Sequence, residues 1–247
     1  MLSLRHLLLV LSPCLLVTLS SFLAAQTLPS PKDATAALAA HLAALKETRT
    51  LQANFICEKR LAALDTPLIS RGHVLVRRGD PREGEGALRI VTETPYFSEL
   101  ILAKGKLLAR SQHETEWTKT NQPTRPGLTT VLSQLGGWSA SDTGKITDMY
   151  TISTSTASIP ASPNGTVQSA AADVFTLTPT NKDLLRVVKQ ITFAVDRASH
   201  HLLFLQMSTQ QDDATRYWFY DIKANVQFPA DAFVPTTVPT TAPSAKS

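Results

Sequence analysis

The fold is decided by residues 187–222, VVKQITFAVDRASHHLLFLQMSTQQDDATRYWFYDI. Apolar runs over 187–196, 202–209 and 216–222 predict three β-strands, and a similar run over 174–179 predicts another strand before them. Short polar segments separate these runs, which favours tight turns and antiparallel pairing of consecutive strands. The last third of the chain is therefore predicted to be an antiparallel sheet.

These strands carry apolar side chains on both faces. Because successive side chains of a strand point to opposite faces, a strand with one face in water alternates between apolar and polar residues. Two of the predicted strands depart from that alternation, with the apolar sets Ile191, Phe193, Ala194, Val195 and Tyr217, Trp218, Phe219, Tyr220. Both faces of the sheet therefore need a cover: an apolar hollow or core inside its curve, and helices or further strands outside.

The middle of the chain extends the sheet. Leu51, Ala53, Phe55 and Cys57 alternate with polar residues, which predicts a strand. Shorter apolar runs predict further strands at 74–76, 87–94, 99–103, 107–109 and 151–154, with 116–118 as a candidate extension.

Two helices are predicted beside the sheet. Residues 30–33 have the Ser, Pro and Asp of a typical helix start, and Leu38, Leu42 and Leu45 follow at helical spacing in an Ala-rich segment. Such a helix can pack on a sheet, but it buries little area and can be displaced. The second helix is predicted over 126–137, where Leu and Val recur at helical spacing.

Residues 1–25 are predicted to be an export signal peptide. A short positive segment precedes a long apolar run, and small residues lie just before Gln26, where cleavage is expected. An uncleaved membrane anchor is the alternative, and Pro13 in the middle of the run favours cleavage. Pro13 directly before Cys14 does not fit a lipoprotein signal. The exported chain is predicted to be periplasmic.

Residues 26–235 are predicted to form a single domain. Within it, the Ser-, Ala- and Pro-rich segment 155–172 is predicted to be a mobile insert. The Thr/Pro/Ser tail 236–247 is predicted to be disordered.

Composition excludes several classes of protein. The 247 residues include 43% hydrophobic residues and carry a net charge of only +4. A nucleic-acid-binding protein needs clustered Lys and Arg to neutralise several phosphates. Nucleic acid is therefore not expected as a partner of this protein. Two cysteines exclude a disulfide framework and a Cys-rich zinc module.

No familiar catalytic motif occurs in the sequence. It lacks G-x-S-x-G, H-E-x-x-H, G-x-x-x-x-G-K-[ST] and G-x-G-x-x-G. Cys57 on its strand is interpreted as a small buried hydrophobic residue, and Asp212 with Asp213 as a solvated turn. His200 and His201 begin a strand and face opposite ways, so they are interpreted as a solvated strand end. We expect a binding protein with no catalytic residues, no metal site and no cofactor.

Arg78 and Arg89 lie at or near strand ends. An arginine there is ordinarily solvated or ion-paired. At the rim of a hollow sheet it can instead donate hydrogen bonds to backbone carbonyls of a covering helix, and so form a polar latch.

Read in order, these segments resemble the LolA family, the periplasmic carriers of outer-membrane lipoproteins. The resemblance covers about residues 34–235. The segments that carry it are LQANF (51–55), GHVLVRR (72–78), LRIVTETP (88–95), LILAKGK (100–106), FTLTP (175–179) and the ending QQDD (210–213) with Arg216, Asn225, Phe233 and Pro235.

The resemblance implies a mostly β (α+β) fold, an incomplete antiparallel β-barrel that encloses an apolar cavity and is covered by helices. It also implies that the first helix is a lid and that Arg78 holds this lid closed. The candidate cargo-contact residues, for each of which ordinary core packing is the alternative, are Phe55, Leu75, Leu88, Ile90, Leu100, Leu102, Phe175, Leu177, Phe193, Leu203 and Phe219.

By the same resemblance the protein shuttles lipoproteins from the inner to the outer membrane as a monomer. Its implied partners are acylated lipoproteins as cargo, an inner-membrane lipoprotein-releasing ABC transporter as donor and an outer-membrane receptor as acceptor. Two alternatives stay open at this point: a lipid- or lipoprotein-sensing regulatory module on the same fold, and an exported hydrolase with a dispersed site.

Overall fold

A computed structural model describes residues 31–79, 86–112, 114, 116–120 and 143–235. The predicted signal peptide (1–25), the predicted helix (126–137) and the predicted tail (236–247) lie outside the described residues.

The described chain contains eleven strands and three α-helices. The helices are α1 (Pro31–Ala44), which continues into a 3-10 turn (Leu45–Glu47), α2 (Thr143–Met149) and α3 (Lys182–Leu185). The strands are β1 (Thr50–Arg60), β2 (Leu68–Arg77), β3 (Ala87–Thr94), β4 (Ser98–Ala103), β5 (Lys106–Ser111), β6 (Thr118–Thr120), β7 (Tyr150–Ser158), β8 (Ala171–Pro179), β9 (Gln190–Val195), β10 (Leu202–Ser208) and β11 (Ala214–Ala224).

All eleven strands form one antiparallel sheet in the order β6-β5-β4-β3-β2-β1-β11-β10-β9-β8-β7. Neighbours in the sheet are neighbours in sequence except at the centre, where β1 pairs with β11 and Phe55 lies opposite Phe219. In the described residues the outer strands β6 and β7 do not pair with each other, so the sheet stays open. The predicted mostly β fold with an incomplete, unclosed barrel is confirmed.

Both faces of the sheet are covered, as the apolar strands require. The inner face carries the larger apolar cluster, including Phe55, Phe175, Phe193 and Phe219, and α1 lies on it. The outer face carries a second cluster around Trp218, Ile56, Phe204 and Ile159. Trp218 is 1% exposed, and its indole Nε1 donates to the carbonyl of Pro160, 2.9 Å away.

The segment that covers Trp218 is part of the predicted insert 155–172, and its predicted bounds are wrong. Strand β7 continues to Ser158 and β8 begins at Ala171, so only 159–170 connects them. The amide of Ile159 donates to the carbonyl of Ala170 at 2.9 Å, and the amide of Ser162 donates to the carbonyl of Val167 at 2.9 Å. Small Ser, Thr and Ala side chains suggested a loop, but backbone pairing with a neighbouring strand does not require large side chains.

Several further strand predictions differ at their ends, and β2, predicted over 74–76, spans Leu68–Arg77. The strand predicted over 187–196 begins at Gln190, because α3 precedes it and the amide of Val188 donates to the carbonyl of Leu184 at 2.8 Å. The candidate extension over 116–118 becomes β6 at Thr118–Thr120. Helices α2 and α3 were not predicted, since 7 and 4 residues are too short to show a helical repeat.

Gly72 of β2 lies at a close approach of two strands. A β-carbon at this position would lie 1.8 Å from the carbonyl oxygen of Val91 and 2.9 Å from the ring of Phe55. Only a residue without a side chain fits here unless β3 moves.

Gly72→Ala is therefore expected to lower the free energy of unfolding by about 3 kcal/mol, the upper end of the usual cost of overpacking. Urea denaturation measures this loss. Gly165→Ala is the control, because a β-carbon there meets nothing within 4 Å and only its φ of +72° opposes a side chain. Its expected cost is about 1 kcal/mol. Equal losses for the two variants would contradict the steric account.

Candidate functional site

The first helix and its turn, residues 31–47, are called the lid here. Ala34, Leu38 and Leu42 are its buried apolar residues, and they join the inner cluster. Most other positions of the helix are Ala, so the lid buries little apolar area. A fully buried Leu contributes about 1.5–3 kcal/mol, so closure of the lid rests on only a few side chains.

A cavity of about 140 Å³ lies between the lid and the inner face of the sheet. Leu38, Leu42 and Leu45 line it from the lid, and Phe193, Val195 and Leu202 are among its lining residues from β9 and β10. Five basic or imidazole side chains also line it, namely His41, Arg49, Arg78, His200 and His201. The site is an apolar cavity with a polar rim.

Most of the predicted cargo-contact residues lie on the inner face. Nine of them belong to the inner cluster or pack against it: Phe55, Leu88, Ile90, Leu100, Leu102, Phe175, Leu177, Phe193 and Phe219. Of these, only Phe193 lines the cavity itself, and the others form the core around it.

Leu75 and Leu203 do not lie with the other nine. Leu75 packs in a third cluster with Ala87 and Phe233, because Val74 and Val76 on either side of it occupy the inner face. Leu203 packs in the outer cluster, because a β-bulge between Leu202 and Phe204 interrupts the alternation of β10. Because these strands are apolar throughout, the sequence does not show which of their side chains lie on the inner face.

Arg78 follows β2 and reaches the lid. Its guanidinium Nη1 donates to the carbonyl oxygen of Leu45, 2.6 Å away. Its backbone amide donates to the carbonyl of Arg49 at 2.8 Å, which fixes the chain beside the lid. Burial lowers the pKa of the Arg78 guanidinium. The contact matches the geometry expected of a latch.

Arg89 does not make the contact with the covering helix that the latch hypothesis requires. It lies on the outer face, where Nε donates to Oε1 of Glu99 at 2.6 Å and Nη1 donates to the carbonyl of Ala232 at 2.8 Å. Arg110 Nε donates to the other oxygen of Glu99 at 2.9 Å. Arg89 thus holds the C-terminal segment on the sheet and does not contact the lid, so the latch alternative is wrong for this residue.

Asn225 of the predicted family ending lies at the base of the lid. Its side-chain oxygen accepts a hydrogen bond from the amide of Arg49 at 2.9 Å, and its own amide donates to the carbonyl of Thr50 at 2.7 Å. The end of β11 therefore fixes the chain between the lid and β1.

A histidine cluster is the feature that sequence reasoning missed. His41 of the lid is buried, and its Nδ1 lies 2.8 Å from Nδ1 of His200 in the β9–β10 turn. Its Nε2 lies 3.2 Å from Oδ2 of Asp173 on β8. The prediction that His200 is a solvated strand end is wrong, because two elements distant in sequence bring these side chains together. No short-range spacing in the sequence indicates such a cluster.

The described residues contain no group of three or more His, Cys, Asp or Glu side chains arranged to hold a metal ion. Asp212 lies in the β10–β11 turn at a φ of +62° and pairs with Lys189 at 3.2 Å. No helix within the described ranges is long and apolar enough to cross a membrane.

Cys57 is a buried free thiol on the inner face. Burial raises its pKa, which hydrogen bonds with Tyr217 and Ser70 partly offset. Burial also raises the pKa of Tyr217 well above its usual value. A thiol with a raised pKa is mostly protonated at neutral pH and is a poor nucleophile.

The family model described as outer membrane lipoprotein carrier protein LolA matches residues 46–236. No curated protein sequence matches the chain significantly.

Solved structures similar to the chain have low sequence identity. The MucA/MucB complex of Pseudomonas aeruginosa matches with a TM-score of 0.48 and 14% identity over 83% of this chain and 61% of that one. The lipoprotein LppX of Mycobacterium tuberculosis matches with a TM-score of 0.45 and 14% identity, over 81% and 99%. A LolA superfamily protein of Nitrosomonas europaea matches with a TM-score of 0.39 and 10% identity, over 81% and 97%. The chain thus spans about three fifths of the first of these.

Arg78→Met is expected to raise amide hydrogen exchange in α1 by about two- to tenfold, the change that the loss of one hydrogen bond produces. Mass spectrometry of exchanged peptides measures it. Arg71→Met is the matched control, because Arg71 is exposed on β2 and lies six residues before Arg77, opposite Ile56. Unchanged exchange in α1 of Arg78→Met would show that this contact does not hold the lid.

Cys57 is expected to react with a thiol reagent such as DTNB orders of magnitude more slowly than free cysteine at pH 8, because it is buried and its pKa is raised. The rate of colour release in the folded protein measures this, with the urea-unfolded protein as the reference. Fast labelling of the folded protein would instead support a reactive thiol and the hydrolase alternative.

Proposed function

The chain belongs to the outer membrane lipoprotein carrier protein LolA family, whose model matches residues 46–236, and on this basis we propose that it is a periplasmic lipoprotein carrier. In this proposal it shields the acyl chains of lipoproteins beneath the lid and shuttles them from the inner to the outer membrane. It uses no catalytic residue and no cofactor.

The observation that carries the proposal is the apolar cavity between the lid and the sheet. It is lined by Leu and Phe side chains, and a lid of small buried area covers it. An acyl chain in water costs about 0.8 kcal/mol for each exposed CH₂ group. An apolar cavity removes that cost, which a lipoprotein with several chains cannot avoid in an aqueous compartment.

The volume of the cavity requires the lid to move. About 140 Å³ is close to the size of an engineered cavity that binds one benzene molecule. A long acyl chain does not fit into that space. We therefore propose that displacement of α1 from this position exposes the inner cluster to the cargo.

The lid contacts suit reversible opening. Arg78 holds Leu45 through one hydrogen bond to a backbone carbonyl, and a typical hydrogen bond contributes about 0.5–1.5 kcal/mol net. In this cycle, acyl chains take the place of the buried Leu side chains of the lid. The inner cluster therefore keeps apolar contacts when the lid opens. Opening on a lipid therefore costs much less than opening in water, which is the differential affinity that a population shift needs.

The proposed partners are those that membership of the LolA family implies. The donor is an inner-membrane lipoprotein-releasing ABC transporter, the acceptor is an outer-membrane receptor, and the carrier acts as a monomer. Neither step involves nucleic acid.

Purification from the periplasm followed by mass spectrometry of bound material tests the carrier proposal. Co-purified acylated lipoprotein, released to acceptor membranes, is the expected result. Bound lipid that is retained without transfer would favour a lipid-sensing module in place of a carrier. A protein that never takes up lipid would contradict both.

Substitutions at two adjacent residues test whether acyl chains bind in the cavity or elsewhere on the sheet. Leu202→Trp fills the cavity and is expected to weaken acyl-chain binding by about tenfold or more, equivalent to about 1.4 kcal/mol. Leu203→Trp places the same ring on the outer face and is expected to leave binding unchanged. Titration with a fluorescent fatty acid measures both, and equal effects would contradict binding in this cavity.

A further inference from the structure

The imidazole rings of His41 and His200 meet across the boundary between the lid and the sheet. Their Nδ1 atoms lie 2.8 Å apart, and the ring centroids are 4.8 Å apart. Nε2 of His41 lies 3.2 Å from the carboxylate of Asp173. We propose that this cluster is a proton-sensitive latch, which holds the lid closed while the imidazole pair carries at most one added proton and releases it when both rings are protonated.

The distance between the rings sets the proton count. A hydrogen bond between two imidazole nitrogens needs one nitrogen with a hydrogen and one without. In the neutral pair, His41 donates from Nε2 to Asp173 and accepts at Nδ1 from His200. One added proton fits on Nε2 of His200, so the second bond is kept with a hydrogen on only one of the two facing Nδ1 atoms. A second proton leaves a hydrogen on both facing Nδ1 atoms, so the bond is lost and two cations face each other.

The surrounding charges do not compensate the second proton. Asp173 is the carboxylate beside the pair, and its Oδ1 already accepts a hydrogen bond from Nε of Arg197 at 2.8 Å. Two imidazolium ions and one guanidinium would then share one carboxylate. Arg49 and Arg78 also line the cavity and add positive charge on its far side.

The β9–β10 turn carries two further titratable groups beside His200, namely His201 and Asp196. Burial lowers the pKa of His201, with a further lowering by His200, while Asp196 opposes these effects. Hydrogen bonds from Ser199 hold the pKa of Asp196 below its usual value. Asp196 is thus engaged in its own turn, where its carboxylate accepts the amides of Ala198 and Ser199 at 3.0 and 2.7 Å.

The backbone of the turn aims His200 at the lid. His200 has a φ of +59°, in the left-handed region that a residue with a β-carbon seldom adopts. Its amide donates to the carbonyl of Asp196 at 2.9 Å, which keeps it there. Backbone strain of this kind is concentrated at functional sites, where the surrounding structure holds it in place.

The direction of the effect follows from linkage. The closed lid accommodates one proton on the pair and the open lid accommodates two, so the second proton binds preferentially to the open form and favours it. Acidification therefore opens the lid and exposes the cavity. This inference rests on the proposed opening of the lid, and it adds a control on when opening occurs.

Entry of an uncharged naphthylamine dye that fluoresces in apolar surroundings tests the proposal between about pH 8 and pH 5, the range over which histidine changes charge. For the wild-type chain the rate of dye entry is expected to rise by about two- to tenfold on acidification, the effect of losing one hydrogen bond. His200→Asn removes the titrating ring with a residue that tolerates the left-handed backbone, and its rate is expected to be independent of pH.

His73→Gln is the matched control, because His73 also faces a carboxylate, that of Glu93 at 2.9 Å, away from the lid. It is expected to keep the full response to pH. His41→Gln tests the same contact from the lid side if His200→Asn does not fold, as judged by circular dichroism.

Dye entry that is independent of pH in the wild type would overturn the latch, as would an unchanged response in both His200→Asn and His41→Gln. Fatty-acid uptake at pH 7.5 separates this result from the carrier proposal. Uptake without a response to pH rejects the latch alone, and the absence of uptake at any pH rejects the proposed function as well.

Discussion

The structure depends on one constraint: a sheet that is apolar on both faces must be covered on both faces. On the outer face the 159–170 connection and the C-terminal segment cover the sheet, with buried Ile159 and Phe233, and accept hydrogen bonds from Trp218 and Arg89. On the inner face the cover is α1, an Ala-rich helix that offers few large side chains. The cavity lies under α1.

Polar contacts also hold α1 on the inner face of the sheet. Arg78 contacts the carbonyl of Leu45 at the C-terminal turn of the lid, and His41 contacts Asp173 and His200 one turn earlier. Both contacts cross from the lid to the sheet at the rim of the same cavity. In the proposed function, a helix held by a few directional bonds closes in a defined position and opens without unfolding the rest of the inner cluster.

The sequence was sufficient for the strands, the antiparallel order and the helix that covers them, because apolar periodicity and turn chemistry are local signals. It did not distinguish faces where a strand is apolar throughout: Leu75 and Leu203 were placed on the inner face, and alternation and a β-bulge place them outside. The histidine cluster depends on side chains separated by 132 and 159 residues, so only the fold reveals it. Arg78 was found through its position at a strand end and through the family resemblance.

The central claim is that the lid moves away from the sheet to admit acyl chains. Spin labels at Ala36 on the exposed side of α1 and at Ser158 on β7, in a Cys14→Ala, Cys57→Ala background, measure this movement by pulsed electron paramagnetic resonance. The account predicts a single short distance in the empty protein and a longer one after addition of an acylated peptide, with no change for the same peptide without its acyl chain. An unchanged distance in the presence of bound acylated peptide would contradict it.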